Sequence, residues 1–94
     1  MRAEALRLAS EAARSFSFRR LYLIGSAVQP SRPLSVWSDL DLVVEGLDVR
    51  DYLRLAAALQ AQTRYPVDLK PLEELAPEAQ RGVAAAGILL YERG

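Results

Sequence analysis

Asp39 and Asp41 stand two apart in Ser38-Asp39-Leu40-Asp41-Leu42-Val43-Val44, a run whose other residues read as a strand. Strand side chains alternate faces, so both carboxylates share one face while Leu40 and Leu42 turn into the fold. Two acids side by side repel each other unless a cation sits between them or one is protonated. A hard divalent ion with oxygen ligands, Mg²⁺ first, is the natural occupant. Upstream, Leu21-Tyr22-Leu23-Ile24-Gly25-Ser26 is apolar and then ends in a glycine and a hydroxyl. Glycine lets backbone approach a ligand, and a serine reaches a phosphate. The chemistry this suggests is a divalent metal held beside a phosphate group.

Each of these residues also has a plainer reading. The two aspartates suit a solvated strand face, and Ser26 suits the cap of a short helix. Such a helix start, with its free N–H groups, still favours an anion. Trp37 fits packing better than base stacking. Arg32 and Lys70 are cations in reach of the motif by sequence, and both also suit plain solvation.

Composition narrows the chemistry. The chain of 94 residues has no Cys and no His, which excludes disulfides, thiolate nucleophiles, zinc-finger sites and imidazole acid–base catalysis. Lys and Arg balance Asp and Glu at 12 each, with no basic block, so no direct nucleic-acid binding is expected. The length suits a single domain spanning residues 1–94. A chain this short buries only ~60–65% of its unfolded surface, so a partner or a second copy (a homo-oligomer) would help its core. No run of eighteen apolar residues and no signal-peptide pattern is seen, and a cytoplasmic protein without a membrane segment is expected.

The elements that must position the acids follow from pattern. Ala3 to Ser15 reads as a helix with Leu6, Ala9, Ala13 and Phe16 at helical spacing. Arg19 to Ile24 reads as a buried strand. A short helical turn at 26–30 and a Pro- and Ser-rich loop at 30–35 come next. Leu40 to Val44 is the central strand, stopped by Gly46. Asp48 caps a helix running to Gln62, with Val49, Leu53, Ala56 and Leu59 as its buried stripe. Pro66 to Leu69 is a third strand, followed by a turn at Leu72–Leu75 and a helix from Pro77 to Ala86. Gly87 releases a last strand, Ile88 to Tyr91. The order αβ(α)βαβαβ predicts an α/β (α+β) fold, a small mixed β-sheet packed with helices.

An apolar strand, Gly-Ser, then Ser-Asp-x-Asp-apolar resembles the minimal nucleotidyltransferases, the smallest members of the DNA polymerase β-like superfamily. The resemblance covers nearly the whole chain and implies a role for each matching residue. Gly25 and Ser26 would contact nucleotide phosphates, with Ser38 beside them. Asp39, Asp41 and a third carboxylate, matched by Asp68 in Tyr65-Pro66-Val67-Asp68-Leu69, would hold two Mg²⁺ ions and carry catalysis. Family members usually carry Ala-Arg-Gly soon after Gly-Ser. This chain has Ala27-Val28-Gln29-Pro30-Ser31-Arg32-Pro33 instead, and Arg32 is the candidate for the missing cation.

What the resemblance implies is a Mg²⁺-dependent nucleotidyltransferase that moves AMP from ATP to a hydroxyl. The acceptor it implies is a tyrosine of a small helical HEPN-type toxin, with this chain as the antitoxin. The rival class is a non-catalytic binding module that neutralises a helical partner by covering it, and the absent Ala-Arg-Gly favours it. A sugar-nucleotide site of a glycosyltransferase ranks last, because those enzymes need a larger scaffold.

Overall fold

A computed structural model describes residues 2–24 and 40–93. Among them the order is α1 (Arg2–Ser15), β1 (Arg20–Ile24), β2 (Leu40–Glu45), α2 (Tyr52–Ala61), β3 (Val67–Pro71), α3 (Pro77–Ala86) and β4 (Ile88–Glu92). Short 3₁₀ turns at Val49–Asp51 and Leu72–Glu74 precede α2 and α3. The strands form one sheet in the order β3-β2-β1-β4. β1 runs antiparallel to β2 and β4, whereas β2 and β3 are parallel. The sheet is therefore mixed, as expected, and α2 is the crossover that parallel neighbours require. The helical turn and loop expected at 26–35 lie outside the described residues.

Alternation decides which face is which. Leu21 and Leu23 of β1, Leu40, Leu42 and Val44 of β2, and Leu69 of β3 are buried in one core with α1 and α2. Phe18 joins them and meets Tyr91 edge to face, ring centroids 5.3 Å apart. Each such fully buried side chain contributes about 1.5–3 kcal/mol. The opposite face carries Ile24, Tyr22 and Arg20, then Asp41, Val43 and Glu45, then Asp68 and Lys70.

Two helix faces differ from the sequence expectation. In α1 the buried residues are Ala5, Leu8, Ala9 and Ala12, while Leu6 is 42% exposed. Ala13 and Phe16 only flank the core. An alanine-rich helix offers more than one apolar stripe, and the one that admits the backbone of the sheet most closely wins. In α2 the buried residues are Leu55 and Leu59, with Tyr52 and Ala56 beside them, while Val49 and Leu53 are 80% and 77% exposed. Tyr52, Leu55, Ala56 and Leu59 follow the i, i+3, i+4, i+7 stripe of α2 and Leu53 lies off it, while Val49 belongs to the preceding 3₁₀ turn, three residues per turn, and does not continue the helix phase. Asp48 does cap, its carboxylate accepting from the Arg50 N–H at 2.9 Å, but it caps the 3₁₀ turn.

Element ends follow their punctuation. Gly46 ends β2 at φ +79°, where a Cβ would lie 2.9 Å from that of Arg19. Its N–H donates to the Glu73 carboxylate at 2.8 Å. Pro77 occupies the first turn of α3, and Gly87 closes that helix with its N–H on the Val83 carbonyl.

Candidate active site

Asp41 and Asp68 come from segments 27 positions apart (68 − 41) and end as direct partners across the parallel β2–β3 pair. Their neighbours fix this register. Leu40 lies opposite Val67 and Leu42 opposite Leu69, on the core face. The residues between them, Asp41 and Asp68, must then share the other face. Neither is deeply buried, so both carboxylates keep access to solvent and to a ligand.

Across the other side of β2, Asp41 is partnered by Ile24 of β1. Ile24 is followed in the chain by Gly25 and Ser26, and Leu40 is preceded by Ser38 and Asp39. Ile24 and Leu40, the described residues that flank those two motif segments in the chain, thus both adjoin Asp41. Gly25, Ser26, Arg32, Trp37, Ser38 and Asp39 themselves lie outside the described residues.

Lys70 stands two residues beyond Asp68 on β3 and so shares its face. Its ammonium is ion-paired to the Asp68 carboxylate. The hydrogen bond that the Lys70 ammonium donates to Asp68, supported by the charges of Asp68 and then Asp41, holds the lysine pKa above its ordinary value despite partial desolvation. The Tyr52 hydroxyl, from the start of α2, donates to the Leu69 carbonyl between these two residues. That bond ties the crossover helix to the strand that carries Asp68. Lys70 is in reach of the motif by sequence, and period-two alternation places it on the face of Asp68. No local signal in the sequence could have found Tyr52.

Glu45 is on the same face as Asp41 but four residues on, about 13 Å along the strand. There it accepts from Arg20 at 3.0 Å, and Arg20 also reaches Glu92 at 2.6 Å. The two carboxylates hold the Arg20 guanidinium above its usual value, Glu92 first. This triad clamps β2, β1 and β4 together at the end of the sheet away from Asp41. A hollow of about 80 Å³ between α1 and α2, lined by Leu8, Ala12, Phe16, Ala58 and Leu59 among others, lies on the helical side of the sheet. It adjoins the core, not the carboxylates.

Two carboxylates on adjacent strands, in a chain with no Cys or His, offer hard oxygen ligands, which fits Mg²⁺ or Mn²⁺ and disfavours softer ions. Among the described residues no group of three ligating side chains occurs. The third acid of the motif, Asp39, is not one of those residues.

No family model matches the chain, and no curated protein matches it. Solved structures do. A toxin–antitoxin structure with AMP-PNP has a TM-score of 0.73 at 24% identity, over 94% of this chain and 73% of that one. A Shewanella oneidensis complex, a tri-AMPylated HEPN toxin with an MNT antitoxin, has a TM-score of 0.70 at 22% identity, over 99% and 74%. At those identities the likeness is one of fold. A structure assigned to the minimal nucleotidyltransferases is nearer in sequence, at 30% identity and a TM-score of 0.70, over 93% of this chain and 89% of that one. With that identity over nearly the full length of both chains, and with Asp41 and Asp68 on neighbouring strands of the shared sheet, this chain belongs to the minimal nucleotidyltransferase family.

Proposed function

We propose that this nucleotidyltransferase transfers AMP from ATP to a hydroxyl, a tyrosine of a small helical HEPN-type toxin, with pyrophosphate as the leaving group, and so acts as its antitoxin. The observation that carries the reading is the in-register pair Asp41 and Asp68 on a minimal nucleotidyltransferase fold. Supporting it are the likeness to a structure with AMP-PNP and to an antitoxin bound to an AMPylated HEPN toxin.

In this reading Asp41 and Asp68, with Asp39, hold Mg²⁺. When bound, the metal supplies charge for the triphosphate and lowers the pKa of the attacking hydroxyl. Asp68 stands on the acceptor side and takes the proton of that hydroxyl on a carboxylate oxygen. Gly25 and Ser26 hold phosphate oxygens, with Arg32 and Ser38 as further contacts. The acceptor side chain comes from the partner, a reading supported by the likeness to a complex of an AMPylated HEPN toxin with an MNT antitoxin.

The test is transfer of label from α-labelled ATP, with Mg²⁺, to a small helical HEPN-type protein. Label on a partner tyrosine that disappears in Asp41→Asn and Asp68→Asn is the expected result. No label, with neutralisation of the partner intact in both variants, would instead establish the non-catalytic binding module.

A further inference from the structure

We propose that Lys70 is a resident counter-ion of the acid pair, which holds Asp68 until a divalent ion arrives and then moves its ammonium to the phosphates of the nucleotide. The inference rests on the reading above and adds to it a residue outside the Asp-x-Asp and Gly-Ser motifs.

Four observations carry it. Lys70 is bound to Asp68, the partner in register of Asp41, so its ammonium stands at a site with two carboxylates. Both side chains of the ion pair are close to half exposed, 45% for Lys70 and 47% for Asp68. Such a pair is weak and exchangeable, and a dication displaces it readily. Next, the other acids on this sheet face, Glu45 and Glu92, are both engaged by Arg20. They are not free to receive the ammonium once it leaves Asp68. Last, the register partner of Lys70 is Val43, fully buried and apolar, which offers the ammonium no competing acceptor. A compact ammonium on a flexible four-carbon stem is suited to such a move, and a phosphate chain is a natural destination.

The test compares the wild type with Lys70→Met and Lys70→Arg by titration calorimetry, first with Mn²⁺ alone and then with tripolyphosphate in saturating Mn²⁺. Because Lys70 competes with the metal, Lys70→Met is expected to bind Mn²⁺ roughly two- to fivefold more tightly than the wild type. The same variant is expected to bind tripolyphosphate about tenfold more weakly. Lys70→Arg, which keeps the charge, is expected to stay near the wild type in both titrations. A Lys70→Met protein with unchanged or weaker Mn²⁺ affinity overturns the counter-ion role. Unchanged tripolyphosphate affinity overturns the transfer to phosphate. Mn²⁺ affinity that is the same in Asp41→Asn and Asp68→Asn as in the wild type would overturn the metal site itself, an outcome distinct from either failure of Lys70.

Discussion

Divalent metal should stabilise this fold, and the amount follows from the sheet. Adjacent strands lie about 4.8 Å apart, so the direct partners Asp41 and Asp68 bring two negative charges to a similar separation. At that distance like charges repel by roughly 1–3 kcal/mol for effective dielectrics between water and a protein surface, and the exposure of both groups favours the lower end. A dication between them converts repulsion into attraction, and it binds the native register alone, since the unfolded chain does not hold the two residues together. Mass action then adds about 1.4 kcal/mol at tenfold excess over Kd and about 2.7 kcal/mol at hundredfold excess. For a domain of this size each kcal/mol raises Tm by roughly 4–8 °C, so tenfold excess should give roughly 6–11 °C. If removing one carboxylate weakens metal affinity about tenfold, the same metal concentration gives only about 0.4 kcal/mol, or roughly 2–3 °C. Thermal melts of wild type, Asp41→Asn and Asp68→Asn across millimolar Mg²⁺ and Mn²⁺, with and without ATP, check this. A wild-type Tm indifferent to metal refutes the argument, as does an equal shift in all three proteins.

Three further perturbations test the fold that holds the site. Leu55→Ala should lose about 2–5 kcal/mol as a cavity opens in the core, whereas Leu53→Gln should change stability by less than about 0.5 kcal/mol; urea denaturation separates the two faces of α2. Gly46→Ala should lower stability by roughly 1–3 kcal/mol, because φ is +79° and the new methyl would press on Arg19, again read by urea denaturation. Asp48 has its carboxyl pulled down to about 2 by its side-chain hydrogen bonds with Arg50 and by the Arg50 backbone N–H. A depressed folded value means the contribution is present above about pH 4 and lost as pH falls toward 2, so the Tm gap between wild type and Asp48→Ala should narrow across that window.

Where the chain is punctuated, its sequence alone locates the elements. Gly46, Pro77 and Gly87 bound β2, α3 and β4 where the structure has them, because a positive φ, a missing N–H and a helix stop are local demands. The helix faces were less legible. Alanines in α1 fit several stripes; in α2 the stripe runs through Leu55 and Leu59, so Leu53 faces out, and Val49 falls in the 3₁₀ turn before the helix. Strand order is not local at all. Nothing near Asp68 in the sequence says that β3 lies beside β2, and that pairing was reached through the family resemblance. Lys70 is an intermediate case: alternation puts it on the face of Asp68, but only coordinates show the ion pair.

The sheet solves a conflict that sequence pattern alone would forbid. Like charges directly opposite each other destabilise a strand pair, yet Asp41 and Asp68 are held opposite. What holds them is the row on each side: Leu40 with Val67 and Leu42 with Leu69 bury apolar surface on the other face, and Leu40 and Leu42 are almost wholly excluded from water. At about 1.5–3 kcal/mol for each buried leucine, these pairs outweigh a repulsion of roughly 1 kcal/mol. Slipping β3 by one residue would relieve the charges but would also turn Leu69 out of the core and Asp68 into it. The core therefore enforces a charge arrangement that is unfavourable by itself, and the stored repulsion is what gives the site its appetite for cations, whether the Lys70 ammonium or a metal.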